Sequence, residues 1–226
     1  MTSSPRPPRT QGFTKKHQGI PAQKIVLDFW AGMCYHPKQV TKITVGIPSY
    51  DHIKTETVIS LLQLQAISDL PLTFFLNQSL YIDYSRNQLV EVALQNGSSH
   101  LMFIDSDIQF QPDGVARLLA HDKDIVGGYY NTRRGNNPIR VKGPEGFAVP
   151  DPLPASMFQC IVLPTGFMLI KLECLQKLQR PYFSVITHEK GTVGEDVNFC
   201  RKAHDAGIEI YCDPTIQLGH VGKQIY

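Results

Sequence analysis

Short apolar runs alternate with segments of helical period along the first half of the chain. Residues 43–48 (ITVGIP) and 72–76 (LTFFL) are apolar and rich in β-branched or aromatic side chains, which predicts two buried strands. Between them, residues 55–68 carry Val58 and Leu62 at helical spacing. This spacing predicts a helix that turns those side chains toward the core, so the order is strand, helix, strand.

The same alternation continues to the end of the chain. Residues 83–96 predict a second helix, and residues 100–104 (HLMFI) predict a third strand. Later segments with similar signals are strands at residues 125–130, 161–170 and 208–212, helices at residues 172–179 and 196–206, and a loop at residues 131–154. Strands that are apolar almost throughout are typical of a mainly parallel sheet flanked by helices, so we predict a Rossmann-like α/β fold.

The two parts of the chain differ in composition. Residues 1–24 are Pro, Ser, Thr, Gln and basic residues with few large apolar side chains, which predicts a flexible tail. Residues 25–226 are numerous enough to build one sizeable hydrophobic core, so we predict a single folded domain there.

Composition and charge exclude several classes of function. Lys and Arg number 22 against 20 for Asp and Glu, and this net charge of +2 makes no general case for nucleic-acid binding. The five cysteines are scattered singly, which favours reduced thiols over disulfides or a zinc knuckle. No apolar stretch is long enough to cross a bilayer and no signal-peptide pattern opens the chain, so we expect a cytoplasmic protein without a membrane span.

Two carboxylates stand where the third predicted strand ends. Asp105 and Asp107 follow residues 100–104 directly, and parallel α/β sheets bind ligands at the carboxyl ends of their strands. With one residue between them in extended backbone, both side chains would point the same way and share one cation. Because such pairs also occur in turns and at helix starts, the triplet alone decides nothing.

The surroundings of the triplet resemble a known family. Residues 101–107 (LMFIDSD), followed by a Pro-Asp pair at residues 112–113 before a predicted helix, resemble the DxD signature of GT-A glycosyltransferases, particularly the family 2-like group. Residues 46–50 (GIPSY) stand where that family has a loop that holds the nucleotide, and residues 85–87 (SRN) fit its Arg-Asn pair. The resemblance implies a GT-A fold, which is a Rossmann-like arrangement, and a nucleotide-sugar donor.

The resemblance also implies which residues bind the donor and a metal ion. The implied donor-binding residues are Pro48, Ser49, Tyr50, Asp51, Arg86, Asn87, Asp105, Ser106, Asp107, Thr165 and Gly166. Arg86 would neutralise a donor phosphate or brace the DxD loop. His220 resembles the family's late metal ligand, so Asp105, Asp107 and His220 are the implied ligands of Mn²⁺ or Mg²⁺.

A second acidic pair supplies the implied catalytic group. Glu195 and Asp196 resemble the Glu-Asp pair that provides the base in inverting members of the family, and Asp196 is the candidate. A carboxylate within reach of the acceptor hydroxyl can take its proton during attack on the anomeric carbon. Acidic residues also stabilise helix starts, so the pair considered alone has a purely structural explanation.

The sequence therefore predicts a metal-dependent, inverting transfer of one sugar from a nucleoside diphosphate sugar, UDP-linked in most such families. The acceptor is a hydroxyl group of a glycan, a protein or a modified nucleobase. Two alternatives stay open, namely a nucleotidyltransferase acting on sugar phosphates and a non-catalytic nucleotide-sugar-binding protein. The first usually carries a Gly-rich basic loop after its first strand, which residues 46–50 do not match.

Overall fold

The computed structural model describes residues 41–132, 135–143, 146–189 and 191–222. The predicted tail at residues 1–24, and the predicted start of the domain at residue 25, lie outside the described residues. Within the described part, one compact unit contains all the elements given below.

Up to residue 104, strands and helices alternate in the order that the apolar pattern predicts, whereas the later part of the chain contains several short strands that it did not predict. The strands are β1 Ile43–Ser49, β2 Leu72–Gln78, β3 His100–Ile104, β4 Ile108–Phe110, β5 Ile125–Tyr129, β6 Val141–Gly143, β7 Gly146–Ala148, β8 Phe158–Cys160, β9 Phe167–Lys171, β10 Ile186–His188, β11 Gly191–Val193 and β12 Ile210–His220. The helices are α1 Thr55–Ile67, α2 Ile82–Gln95, α3 Gly114–Ala120 and α4 Glu195–Asp205, with a 3-10 helix at Leu172–Lys177.

A mixed, mostly parallel sheet forms the centre of the molecule. Its strands follow the order β2-β1-β3-β9-β5-β12-β4, and β8 pairs with β12. β1 is parallel to β2 and β3, and β5 is parallel to β12, whereas β9 is antiparallel to both β3 and β5. The carboxyl ends of β1, β3 and β5 and the amino end of β9 therefore meet at one edge. The predicted Rossmann-like α/β fold with flanking helices is confirmed.

The hydrophobic core covers both faces of this sheet. Leu101 and Phe103 of β3 belong to a cluster that includes side chains of α2 and α4. Met102 and Ile104 of the same strand point the other way, into a cluster with side chains of α1 and α3. Because successive strand residues face opposite sides, one apolar run serves two cores, which explains why the strand shows no polar alternation.

The apolar residues at helical spacing on α1 only partly face the core: Leu61 packs against it, whereas Val58 and Leu62 are exposed. Thr57, Ser60 and Leu64 are buried, whereas Leu62 is 65% exposed. The cause is the neighbour that α1 packs against: β4 lies close enough for the Phe110 N–H to donate to Ser60 Oγ at 3.1 Å. Small polar side chains permit that approach, and the apolar residues on the opposite side of the helix stay in contact with solvent.

Other expectations are corrected in detail. β2 lies at the edge of the sheet and is only half-buried, because a single strand neighbours it. The apolar run at 161–170 forms a strand only from Phe167 onward, and the helix predicted at 172–179 is a 3-10 helix. The predicted loop at 131–154 contains the hairpin of β6 and β7.

β12 is longer than predicted and connects two parts of the sheet. It pairs in parallel with β5 up to Asp213, shifts its register between Asp213 and Gln217, and then pairs antiparallel with β4 through His220. Burial opposes the ionisation of Asp213, but hydrogen bonds from Thr215 and His121 outweigh it and lower the pKa of this carboxyl. A charged, hydrogen-bonded side chain thus fixes the irregular point of the strand.

The described residues bear on the predictions about membrane spans and cysteines. Among the described residues, no helix combines the length and apolarity needed to cross a bilayer. Cys160, Cys174, Cys200 and Cys212 are free and buried. Burial raises the pKa of the Cys200 thiol to about 12, so this thiol is protonated at neutral pH.

The packing of α1 gives a matched pair of substitutions. Leu64→Ala should lower the free energy of unfolding by about 2–5 kcal/mol, because it empties a fully buried site. Leu62→Ala, two residues away on the exposed face, should change it by less than about 0.5 kcal/mol. Urea unfolding of both variants measures the difference, and equal losses would contradict the observed orientation of the helix.

Candidate active site

The DxD triplet forms a turn at the end of β3. The Asp105 N–H donates to the Gly166 carbonyl at 2.9 Å, and the Ile108 N–H donates back to the Asp105 carbonyl at 3.2 Å. The expectation of extended backbone with both carboxylates pointing the same way is therefore wrong. The turn sends Asp105 toward α2 and Asp107 toward the end of β12, so the two carboxylates have different partners.

Arg86 of α2 lies beneath this turn and binds two carboxylates. Its Nη2 donates to Asp105 Oδ1 at 3.0 Å, and its Nε donates to Glu195 Oε1 at 3.2 Å. The guanidinium also lies 5.2 Å from the centroid of the Phe103 ring. Burial works against the charge of Arg86, but Asp105 and Glu195 outweigh it and raise its pKa. The guanidinium is therefore permanently charged and held from three sides.

This position decides between the two roles predicted for Arg86. Its relative exposure is 2%, and its Nη2 and Nε are paired with the two carboxylates, while its buried Nη1 has no hydrogen-bond partner among the described residues. The contacts are those of a brace between the DxD turn and the start of α4. Burial raises the pKa of Asp105, and the nearby Asp107 adds to this, while Arg86 opposes it.

Glu195 and Asp196 begin α4 with different surroundings. Glu195 is engaged by Arg86, whereas Asp196 is half-buried and its Oδ1 accepts the N–H of Val197 at 2.7 Å. Burial raises the pKa of Asp196, and the charge of Glu195 raises it further. Of the two, Asp196 has the properties of a base whose proton affinity has been increased by its environment.

Asp107 meets His220 across the pairing of β4 with β12. The Val221 N–H donates to the Asp107 carbonyl at 2.8 Å, and Asp107 Oδ2 lies 3.3 Å from His220 Nε2. On the other side of the ring, His220 Nδ1 lies 3.0 Å from the Asn131 carbonyl. A carbonyl only accepts, so Nδ1 carries a proton, and in the neutral ring Nε2 presents its lone pair to the carboxylate.

Two facing acceptors repel each other unless a cation lies between them, so this pair fits a proton or a metal ion. Adjacent ligands of an octahedral ion at about 2.1 Å lie about 3 Å apart, close to the observed separation. The Asn131 carbonyl accepts from the other ring nitrogen and so fixes the orientation of the ring, as backbone carbonyls do beside histidine ligands of metal ions. The described residues contain no group of three or more such ligands, so further coordination would have to come from the substrate and water.

A cleft of about 590 Å³ opens beside Asp107. It is lined by Tyr50, Asp51, His52, Lys54, Ser106, Asp107, Val221 and Gly222. The structure therefore brings together the loop after β1 and the DxD turn, as the family resemblance implies. The backbone holds them in place, because the Lys54 N–H donates to the Ser106 carbonyl at 2.8 Å.

Several predicted donor-binding residues serve the framework of the site. Pro48 and Ser49 are buried in β1, and the Ser49 hydroxyl donates to the His52 carbonyl at 3.1 Å, which shapes the loop. The Asn87 amide binds the backbone of Asp83, Tyr182 and Phe183. Its amide groups therefore join α2 to the segment before β10, and the donor contact that the resemblance implies for Asn87 stays a prediction.

Thr165 and Gly166 are buried under the DxD turn. Gly166 donates its N–H to Tyr130 Oη at 3.0 Å, and a Cβ built on it would clash with Tyr130 and lie 2.9 Å from Asp105 Oδ2. Only glycine therefore permits this close approach. Burial, together with the charge of Asp105, raises the pKa of Tyr130 well above its usual value, so its phenol is neutral.

Three residues of this region are outside the predicted sets of donor-binding, metal-binding and catalytic residues. Tyr130 lies between the Asp105 and His220 sides of the site, with its ring centroid 5.4 Å from that of His220. His52 and Lys54 line the cleft next to two residues that the resemblance did identify. Their position two and four residues after Tyr50, in a loop at the ligand-binding edge of the sheet, was the available signal.

Comparisons with known structures concern the fold. The chain is similar to the crystal structure of A197 from STIV, with a TM-score of 0.60 and 19% identity over 81% of this chain and 87% of that one. It also aligns with S. aureus TarS 1-349 in complex with UDP-GlcNAc, with a TM-score of 0.46 and 16% identity over 80% of this chain and 60% of that one. No family model matches the sequence. No curated protein sequence matches it either.

At these identities, the likeness to A197 shows a shared fold and nothing about activity. The TM-score with TarS is too low to support any argument about this chain. The assignment of chemistry therefore has to rest on the geometry of the site.

The buried ion pairs of Arg86 give a stability prediction. Arg86→Met should lower the free energy of unfolding at neutral pH by about 3 kcal/mol, because it leaves the half-buried carboxylates of Asp105 and Glu195 without their cation. The loss should shrink as the pH falls and the two carboxyls become protonated. Chemical unfolding at several pH values measures this.

A triple variant provides the control. Combining Arg86→Met with Asp105→Asn and Glu195→Gln removes the uncompensated charges and should recover part of the lost stability. A triple variant less stable than Arg86→Met at neutral pH would show that burial of unpaired charge is not the cause.

Proposed function

We propose that this chain is a glycosyltransferase that moves one sugar from a nucleoside diphosphate sugar to a hydroxyl acceptor, with inversion at the anomeric carbon. UDP is the expected nucleotide, on the basis of the family resemblance. The observation that carries the proposal is that acidic residues with different surroundings lie at one edge of the sheet. Asp107, which lines the cleft, lies 3.3 Å from His220 in an arrangement that can hold a cation, while Asp196 is a carboxyl of raised pKa linked to the DxD turn through Glu195, Arg86 and Asp105.

The chemistry follows from these two groups. The acceptor hydroxyl attacks the anomeric carbon as Asp196 takes its proton, and the bond from that carbon to the diphosphate oxygen breaks with its electron pair. Attack from the face opposite the leaving diphosphate inverts the carbon. The raised pKa of Asp196 suits this role, because a stronger base accepts the proton more readily.

Asp107 and His220 would hold a divalent cation, with Mn²⁺ favoured by the mixed oxygen and nitrogen ligands. Such an ion, when bound, would stabilise the negative charge on the departing diphosphate. The chain's own contribution is to orient the pair. The Asn131 carbonyl fixes the His220 ring, and the Val221 N–H fixes the backbone of Asp107.

Substitution of the two acidic groups should separate binding from transfer. Asp107→Ala should abolish the Mn²⁺-dependent part of UDP binding, whereas Asp196→Asn should bind UDP normally and transfer sugar about 10²–10⁴-fold more slowly. Calorimetric titration of UDP and an assay of UDP release with an acceptor measure the two properties. Asp205→Asn, on the exposed face of the same helix as Asp196, is the matched control.

Transfer by Asp196→Asn at the parent rate would refute the assignment of the base. The products distinguish the alternative functions. Release of pyrophosphate from a nucleoside triphosphate and a sugar phosphate would indicate a nucleotidyltransferase, and tight donor binding without any turnover would indicate a binding protein.

The raised pKa of Asp196 predicts the pH dependence of transfer. The base must be ionised, so kcat/KM should fall as the pH drops through a pKa above the usual range of an Asp. Glu195→Gln removes a negative charge beside Asp196 and leaves the Arg86 cation less neutralised, and both effects lower that pKa. The acidic limb of the profile should therefore move to lower pH.

Profiles of kcat/KM against pH for the parent and for Glu195→Gln test this. Glu189→Gln, in the turn between β10 and β11, should leave the limb where it is. A limb that moved to higher pH in Glu195→Gln would mean that another group controls it.

A further inference from the structure

Lys54 occupies a defined place in the cleft that neither the DxD turn nor the acidic pair explains. It lies immediately before α1, and its N–H donates to the Ser106 carbonyl at 2.8 Å. The backbone of Lys54 is therefore fixed to the DxD turn itself. Its half-buried side chain lines the same cleft as Asp107.

The Lys54 side chain is held by a short chain of polar contacts. Its Nζ lies 3.2 Å from His52 Nε2, and His52 Nδ1 lies 2.5 Å from Asp51 Oδ1. When Nδ1 donates to the carboxylate, Nε2 offers its lone pair to the ammonium group. An ammonium has three protons, so one is used by His52 and the others remain for a ligand.

The start of α1 adds to the positive character of this wall. No side chain caps the first N–H groups of the helix, since Lys54 stands at the N-cap and has no acceptor in its side chain. The first turn of a helix carries partial positive charge and favours anions. Among the described residues that line the cleft, Lys54 alone has a charge that is positive at any physiological pH.

We infer that Lys54, held by His52 and Asp51, binds the phosphate groups of the donor. The inference rests on the proposed function and deepens it, because it gives the cleft a fixed cation for the diphosphate that does not depend on a bound metal. Asp51 acts here through His52, as a positioning residue, in place of the direct donor contact that the resemblance implies. The competing explanation is a solvated lysine that only shields the start of α1.

Binding of three probes to Lys54→Met tests the inference. The probes are UDP, inorganic pyrophosphate and uridine, each titrated by calorimetry in EDTA and again in Mn²⁺. In EDTA, the variant should bind UDP and pyrophosphate about tenfold or more weakly than the parent, while its affinity for uridine should be unchanged. Lys54→Arg should keep most of the affinity, and Lys177→Met, an exposed lysine on the 3-10 helix, should behave as the parent.

His52→Phe should weaken pyrophosphate binding by a smaller factor, because Lys54 loses its support and keeps its charge. Thermal unfolding checks that each variant is folded. We expect it to be, because the hydrogen bond from the residue 54 N–H to the Ser106 carbonyl does not involve the substituted side chain. Parent-like binding of UDP and pyrophosphate by Lys54→Met would overturn the inference and leave the proposed function standing.

The remaining outcomes also separate the two claims. A parent protein that binds pyrophosphate through Lys54 but neither UDP nor uridine would support the anion site and refute the nucleotide-sugar donor. A parent that binds none of the phosphate probes, with or without Mn²⁺, would overturn the inference.

Discussion

The candidate site depends on one buried cation. Arg86 contacts Asp105 at the end of β3 and Glu195 at the start of α4, and it lies on α2, so three elements distant in sequence are joined at a single guanidinium. Replacing it by lysine would not reproduce this arrangement, because a planar group with several N–H donors can serve two carboxylates at once. The position of Asp196, the proposed base, follows from this contact, since it is the next residue after Glu195.

Charge balance explains why the acidic residues of the site differ in character. Arg86 offsets Asp105 and Glu195, which both lie close to it, while Asp196 experiences burial and the charge of its neighbour without a direct ion pair among the contacts seen here. Asp107 and His220, the proposed cation ligands, lie on the other side of the DxD turn. A single turn thus separates a carboxylate that maintains the framework from one that faces the cleft.

Much of the fold was predictable because most strands at the centre of the sheet coincide with short apolar runs in the sequence. The limits of β1, β3 and α2 fall within about two residues of the expected positions, as is usual for strongly patterned segments. The direction of each strand and the buried face of each helix were harder to predict from the sequence. The antiparallel insertion of β9 and the approach of β4 to α1 depend on contacts between distant segments, and these reversed the expected exposure of Leu62.

The same distinction applies to the site. The resemblance points to Asp105, Asp107, Asp196 and His220, whose roles stay predictions, because motif order indicates which residues stand near the carboxyl ends of the strands. It did not report that Asn87 serves the backbone at residues 182–183, or that His52 supports Lys54, because those contacts arise between side chains and loops whose geometry no motif specifies. Family motifs therefore predict where a residue lies more reliably than they predict what its side chain contacts.

Because of the register shift in β12, the number of residues in this strand determines where His220 lies. His220 reaches Asp107 only because β12 pairs with β5, loses register between Asp213 and Gln217, and resumes pairing beside β4. The number of residues in that irregular stretch, more than their identity, determines how far along the edge the imidazole is delivered. The buried Ile216 and the Thr215 hydrogen bonds to Asp213 limit which side chains the stretch can carry. A gain or loss of one residue there would turn His220 to the opposite face of the strand.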